Sequence, residues 1–356
     1  MFAWKIWLRW LLAGALYYSG TLCLYRRLRR IGYPIILNYH RVLDPAAAEN
    51  EAVPPGMYVR PQTFEKQLRY LAHHYRVVTM EELLAWRERA APTRRPICVL
   101  TFDDGWSDNY EKALPLLRKY RLPATLFLST SFIGTGQTPW FYRLGHVLRV
   151  LAEMPDETCA ALRSNDRLKL PVPLSGWLAA SSAERQRDID AVIEELKKLP
   201  GAELESLVER LQQWLLLGGR PVDVNGTAML NWQQVREMAL SSVEIGSHGV
   251  THMILTQIPP QAANVELQES KRCIEEQIER PVGGFSYPNG DYSDAVEALV
   301  RAAGYRYACT TQPGYVESRD NPFQLKRISV HDDITFSTAL FACHIAGIFK
   351  LLSIRN

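Results

Sequence analysis

The sequence predicts an α/β fold, a mostly parallel sheet wrapped by helices. Three observations carry this. Residues 96–129 read as strand, helix, strand, in "PICVLTF" (96–102), "EKALPLLRKY" (111–120) and "PATLFLS" (123–129). The strands are unbroken apolar runs rather than alternating ones, as expected where both faces of a sheet are covered. The same alternation resumes from residue 231 onward. The chain has 356 residues, 47% of them hydrophobic, which is ample for a core and more than one mean domain. Its formal net charge is only +3, so no global basic field points to a nucleic-acid partner. It carries no Gly-rich phosphate loop, no heptad array and no internal repeat.

The N-terminus reads "MFAWKIWLRWLLAGALYYSGTLCLYRRLRR". Trp10 to Tyr25 is an uncharged run of 16 residues, short of the roughly 20 that span hydrocarbon unaided. Lys5 and Arg9 can lengthen it by snorkelling. The arginines that follow (Arg26, Arg27, Arg29, Arg30) are wrong for a small-residue cleavage site. The expectation is an uncleaved membrane anchor over 1–30, either a short span or an in-plane apolar helix. The flanking charges then place a bacterial inner-membrane protein with its catalytic part facing the cytoplasm.

From Pro34 the pattern turns globular. "PIILNYH" (34–40) reads as a strand, and "PQTFEKQLRYLAHHY" (61–75) as a helix with Thr63 as N-cap. Residues 131–228 break the rhythm with charged amphipathic helices and no convincing strand, so they read as a helical insertion. "NWQQVREMA" (231–239) is then helical and "VEIGSHG" (243–249) a strand with its exit. "AANVELQESKRCIEEQIE" (262–279) is a long helix. "VGGFSYPNG" (282–290), "DAVEALVRAAGY" (294–305) and "RYACTTQ" (306–312) give strand, helix, strand, and "LKRISVHDD" (325–333) one strand more. The apolar tail over 336–356 is either a second membrane-facing helix or a core helix. The catalytic domain is therefore expected over 31–335. The six cysteines form no C-x-x-C pair and read as free thiols, which leans towards a reducing compartment.

The chemistry begins at "TFDDGWSDNY" (101–110), where a buried strand runs into Asp103 and Asp104. Like charges that close disfavour joint ionisation, so the pair asks for a cation, a proton or a solvated Asp-Gly turn. "GSHGVTH" (246–252) offers His248 and His252, four apart. A turn or short helix can aim both imidazoles at one ion. Two neutral imidazoles and one carboxylate suit zinc or a similar divalent metal, with a position left open for water. One Asp then binds the metal, and the other is free to take a proton from the attacking water.

"TFDDG", "SHGVTH" and "FSYPNG", in this order, resemble the three leading motifs of the polysaccharide deacetylase family (NodB homology domain, carbohydrate esterase family 4). The resemblance covers roughly 34–335 outside the insertion. It implies a distorted (β/α) barrel, with the site in loops at the strand C-termini. It implies Asp103 as general base and Asp104, His248 and His252 as ligands of a divalent metal, zinc foremost. It places Asn289 where a backbone N–H helps hold the oxyanion, with Tyr287 and Pro288 lining the wall beside it. His331, with Asp332 or Asp333 to orient it, matches the histidine that protonates the leaving amine. Two departures stand out. The family's third motif often opens with an Arg that orients the base, where this chain has Phe285, Ser286 and Tyr287. The fourth motif, an Asp-Trp pairing, is not found.

The implied function is a metal-dependent hydrolase that removes an N-acetyl or other small acyl group from an amino sugar. Its substrate would be a glycan or lipid-linked sugar of exopolysaccharide or cell-envelope biosynthesis. A deformylase of a polyprenyl-linked aminosugar and a catalytically inactive sugar-binding protein are the alternatives. Trp106, Tyr110 and Trp140 are open to two readings, stacking on sugar rings or packing. His40 ends an early strand near the site rim and is not read as a ligand.

Overall fold

Apolar runs of five or six residues become strands buried on both faces, as continuous hydrophobic strands must be. The computed structural model describes residues 2–28, 33–50, 53, 55–89, 94–220 and 229–351. Its strands are β1 (Ile35–Tyr39), β2 (Arg41–Val42), β3 (Tyr58–Val59), β4 (Arg76–Val77), β5 (Ile97–Phe102), β6 (Ala124–Leu128), β7 (Val243–Ser247), β8 (Gly284–Ser286), β9 (Tyr307–Cys309) and β10 (Ile328–Ser329). The main sheet runs β10-β1-β5-β6-β7-β8-β9, with β4 beside the start of β5. Every pairing between these strands is parallel. Beyond β9, Thr310 N–H donates to Leu325 O at 2.9 Å and Arg327 N–H to Gln312 O at 3.0 Å. These bonds carry the sheet across to the chain that enters β10, so the strands curl into a distorted barrel. All its strands point their C-termini the same way, and the loops at that end hold the site.

Between β6 and β7 the described chain is helical, from Trp140–Ala152 to Gly201–Leu217. These helices have an apolar core of their own, including Leu144, Leu148, Leu174, Leu196, Leu207 and Leu211. The returning chain is pinned to the barrel. Leu230 N–H donates to Gly105 O at 2.9 Å, and Gly134 N–H to Leu230 O at 2.8 Å.

The N-terminal expectation is corrected. The membrane-spanning segment expected over 1–30, on which the inner-membrane location and the membrane partner rested, is not borne out by the helices. No helix among the described residues is long and apolar enough to cross a membrane. The apolar run is divided between two helices, Phe2–Tyr18 and Thr21–Leu28, with Gly20 at φ 77° between them. Seventeen residues reach only about 25 Å at about 1.5 Å each, short of a hydrocarbon core. The first helix packs on the tail helix Thr338–Ile345. Ala13 is buried, and the Arg9 guanidinium lies 4.2 Å from the Phe349 ring centre. In the tail helix Leu340, Phe341, Ala342 and Cys343 are all buried, so this described helix packs into the core.

His344 in that helix has a ring nitrogen 3.0 Å from Ser329 O. Burial pulls its pKa down to about 4 from the ordinary 6.5. The unfolded chain therefore takes up a proton before the folded one does. Stability should be fully present above about pH 6.5 and should fall as pH drops from there towards 4. Urea denaturation across that range should show the slope, and His344→Gln should lessen it by one proton's share.

Candidate active site

The Asp-Asp-Gly turn is set by backbone geometry. Asp103 N–H donates to Tyr39 O at 3.1 Å, the last rung of the β1–β5 ladder. Asp104 follows at φ 76°, in the left-handed region that non-glycine residues seldom enter. Gly105, at φ 97°, must be glycine, because a Cβ there would lie 2.9 Å from both Leu128 and Ile133. The turn is real but not solvated, since Asp103 is 2% exposed and Asp104 1%. The reversal of handedness at Asp104 sends the two carboxylates to different surroundings.

Asp103 meets a guanidinium. Arg327 Nη1 donates to Asp103 Oδ1 at 2.8 Å and Nη2 to Oδ2 at 2.7 Å, a bidentate pair. Arg327 is itself buried and gives its other protons to Thr310 O, Asn38 Oδ1 and Ser286 Oγ, at 2.9 Å each. Burial pushes the Asp103 pKa up, but Arg327 outweighs it, and His248 adds to the pull, so the carboxyl sits below its ordinary range. A guanidinium therefore reaches Asp103 although the third motif carries no Arg. It arrives from β10 instead, in "LKRISV", where a cation inside an apolar strand was the only signal.

Asp104 faces the other way. Its Oδ2 accepts from Trp106 Nε1 at 2.8 Å. Its Oδ1 is buried with no hydrogen-bond partner, 3.5 Å from His248 Nε2 and 3.4 Å from His252 Nε2. His248 Nδ1 is 2.6 Å from Ser286 O, a carbonyl that can only accept, so Nδ1 carries the proton and Nε2 offers a lone pair. Burial pulls the His248 pKa down to about 4, against the two carboxylates, and keeps the ring neutral. Two imidazole nitrogens facing an orphaned carboxylate oxygen, all ligand atoms within 4.8 Å of one another, are a donor set that fits a small divalent cation.

These groups open onto a cavity of about 430 Å³. Asp103, Asp104, His248, His252, Tyr287 and Asn289 line it. Asn289 sits at φ 59° and its amide donates to Asp291 Oδ2 at 2.8 Å. Pro288 is buried and is not among the residues that line the cavity. His331 does not line it either. Its Nδ1 lies 3.3 Å from Asp333 Oδ2, at the start of a short helix. Besides His248 and His252, the cavity is lined by His40, just past the C-terminal end of β1. Burial lowers its pKa, opposed first by Asp104 and then by Asp103.

The aromatic candidates divide. Trp106 is 1% exposed and serves as the hydrogen-bond donor to Asp104. Tyr110 donates to Glu237, away from the cavity. Trp140, Phe141 and Tyr142, from the first inserted helix, reach the cavity wall. Phe141 lies 4.7 Å from the His252 ring, centre to centre.

Fold and side chains together define a (β/α)-barrel protein with a buried Asp, His, His cluster at its strand C-termini. The sequence profile of the polysaccharide deacetylase family matches residues 90–167 and 212–308. The chain belongs to that family, which is a family of enzymes. Among curated relatives, the Bacillus subtilis protein YxkH is 22% identical over 278 residues, 77% of this chain and 66% of that one. The poly-beta-1,6-N-acetyl-D-glucosamine N-deacetylase of Staphylococcus epidermidis is 33% identical over 109 residues, 28% of this chain and 37% of that enzyme. The matches thus span about two thirds and just over a third of those relatives' lengths. Among solved structures, the Streptococcus pyogenes deacetylase PplD aligns with a TM-score of 0.55 at 19% identity, over 85% of this chain and 94% of that one. IcaB from Ammonifex degensii aligns with a TM-score of 0.54 at 18% identity, over 87% of this chain and 97% of that one. At those identities the likeness is one of fold.

The buried pair makes a stability prediction. Arg327→Met strands the Asp103 carboxylate without its partner and should cost about 3–5 kcal/mol in urea denaturation of the metal-free protein. A cost under about 0.5 kcal/mol would mean the pair contributes no more than a surface contact.

Proposed function

We propose that this chain is a metal-dependent hydrolase that removes the N-acetyl group from amino sugars of an exopolysaccharide-type glycan. The observation that carries this is the division between adjacent carboxylates. Asp103 is held by an arginine, while Asp104 Oδ1 lies unpaired between two imidazole nitrogens. Family membership and the name of the Staphylococcus epidermidis relative support the glycan substrate. The catalytic unit is taken as about 31–335, with the helical segment of about 131–228 inserted in it.

Asp104, His248 and His252 would hold the metal, with zinc the natural choice for this donor set. A divalent cation bound there supplies Lewis acidity to the acyl carbonyl and lowers the pKa of a neighbouring water. Asp103, kept ionised and aimed by Arg327, takes a proton on a carboxylate oxygen as water attacks the acyl carbon. The Asn289 backbone N–H would help hold the developing oxyanion, with Tyr287 lining the cavity beside it. The departing amine needs a proton. His40, which lines the cavity as His331 does not, would relay it, taking on one ring nitrogen the proton that Asp103 gained from the water and giving one to the amine from the other.

Acetate release from N-acetylglucosamine oligosaccharides by the purified chain, with and without a chelator, tests the reading. Activity should vanish with the chelator and return with zinc. Asp103→Asn should keep the metal and lose rate by on the order of 10²–10⁴. His40→Ala should lose rate to a similar degree, while His331→Ala stays near wild type. The reverse order would return the acid role to His331. Full activity in Asp103→Asn would remove the base from the mechanism.

A further inference from the structure

His252 has an unusual position for a metal ligand. Such a histidine ordinarily fixes its ring by donating its second nitrogen to a carbonyl or carboxylate. His248 does so, through Nδ1 to Ser286 O. His252 Nδ1 is buried with no hydrogen-bond partner. Its backbone is also strained, at φ 58° in the left-handed region. Something other than a ring hydrogen bond must hold it.

The loop that carries it is clamped from the long helix Pro260–Ile278. Glu266 is 8% exposed, and its Oε2 accepts from Val250 N–H at 2.7 Å and from Thr251 N–H at 2.9 Å. Its Oε1 accepts from Thr251 Oγ1. These are the two residues that immediately precede His252. The fit is tight, since a Cβ on Gly249 would lie 2.8 Å from Glu266 Oε2. A buried carboxylate that gathers consecutive backbone N–H groups fixes the local backbone, and with it the direction in which the next side chain leaves.

We propose that Glu266 is the positioning residue of the metal centre: it sets the geometry of His252 through the backbone of the loop between the two histidines. The proposal rests on the reading of His252 as a ligand. What matters is the reach of an acceptor oxygen to Val250 and Thr251. The charge of Glu266 is secondary.

Zinc affinity of the full chain, measured by competition with a chromophoric chelator, separates these terms. Glu266→Ala removes the acceptors and should weaken zinc binding by 10–100-fold. Glu266→Asp keeps the charge but withdraws the carboxylate by about one C–C bond, about 1.5 Å, and should also bind zinc more weakly. Glu266→Gln keeps the reach and one carbonyl oxygen, and should bind within a few-fold of wild type. The Asp variant preserves the test if the Ala variant does not fold. Wild-type affinity in folded Ala or Asp variants would overturn the proposal, leaving Glu266 as a tie between helix and loop. Weak binding in the Gln variant as well as the Asp variant would overturn the claim for reach over charge. Failure of the wild-type chain to bind zinc would overturn the ligand reading itself, a separate result.

Discussion

The site depends on one buried ion pair, Arg327 with Asp103. Removing two charges from water is costly, and the cost is offset only where geometry is good and every remaining donor is used. Here the guanidinium binds the carboxylate in two parallel bonds and gives its other protons to Asn38, Ser286 and Thr310. Those partners lie on β1, at the end of β8 and just beyond β9, while Arg327 itself leads into β10. One side chain therefore ties together the strands that close the barrel and fixes the carboxylate at its centre.

The second constraint follows from the first. Asp103 and Asp104 are neighbours in sequence, yet the left-handed backbone at Asp104 parts them. One is neutralised by Arg327. The other turns to Trp106, His248 and His252. Two titratable groups in opposed environments are the usual basis for dividing chemical roles between like residues. The insertion is part of this arrangement. The chain that returns from it bonds to Gly105, and its Phe141 packs on His252. The inserted helices wall the cavity that the strand ends open.

Much of this was legible in sequence because it is local. An apolar strand ending in Asp-Asp-Gly, and two histidines four apart after another strand, each lie within one short segment. The parallel sheet and the inserted helices followed from the alternation of apolar runs. Residues that act across the fold were not legible. Arg327 lies more than two hundred positions from Asp103, and only its place inside an apolar strand marked it. His40 and His331 both end short strands, and only the curl of the sheet decides which reaches the cavity. The apolar N-terminus misled for a related reason. Composition measures a run's length but not the break at Gly20, nor that the first helix would pack on the tail helix.

The central claim is that Asp104, His248 and His252 share one ion while Asp103 stays out of its coordination. Anomalous diffraction from crystals of the zinc-loaded protein tests this most directly. The account predicts a single peak at about 2.0–2.2 Å from His248 Nε2, His252 Nε2 and Asp104 Oδ1, with Asp103 still paired to Arg327. A peak ligated by Asp103, or no peak among these three residues at saturating zinc, would contradict it.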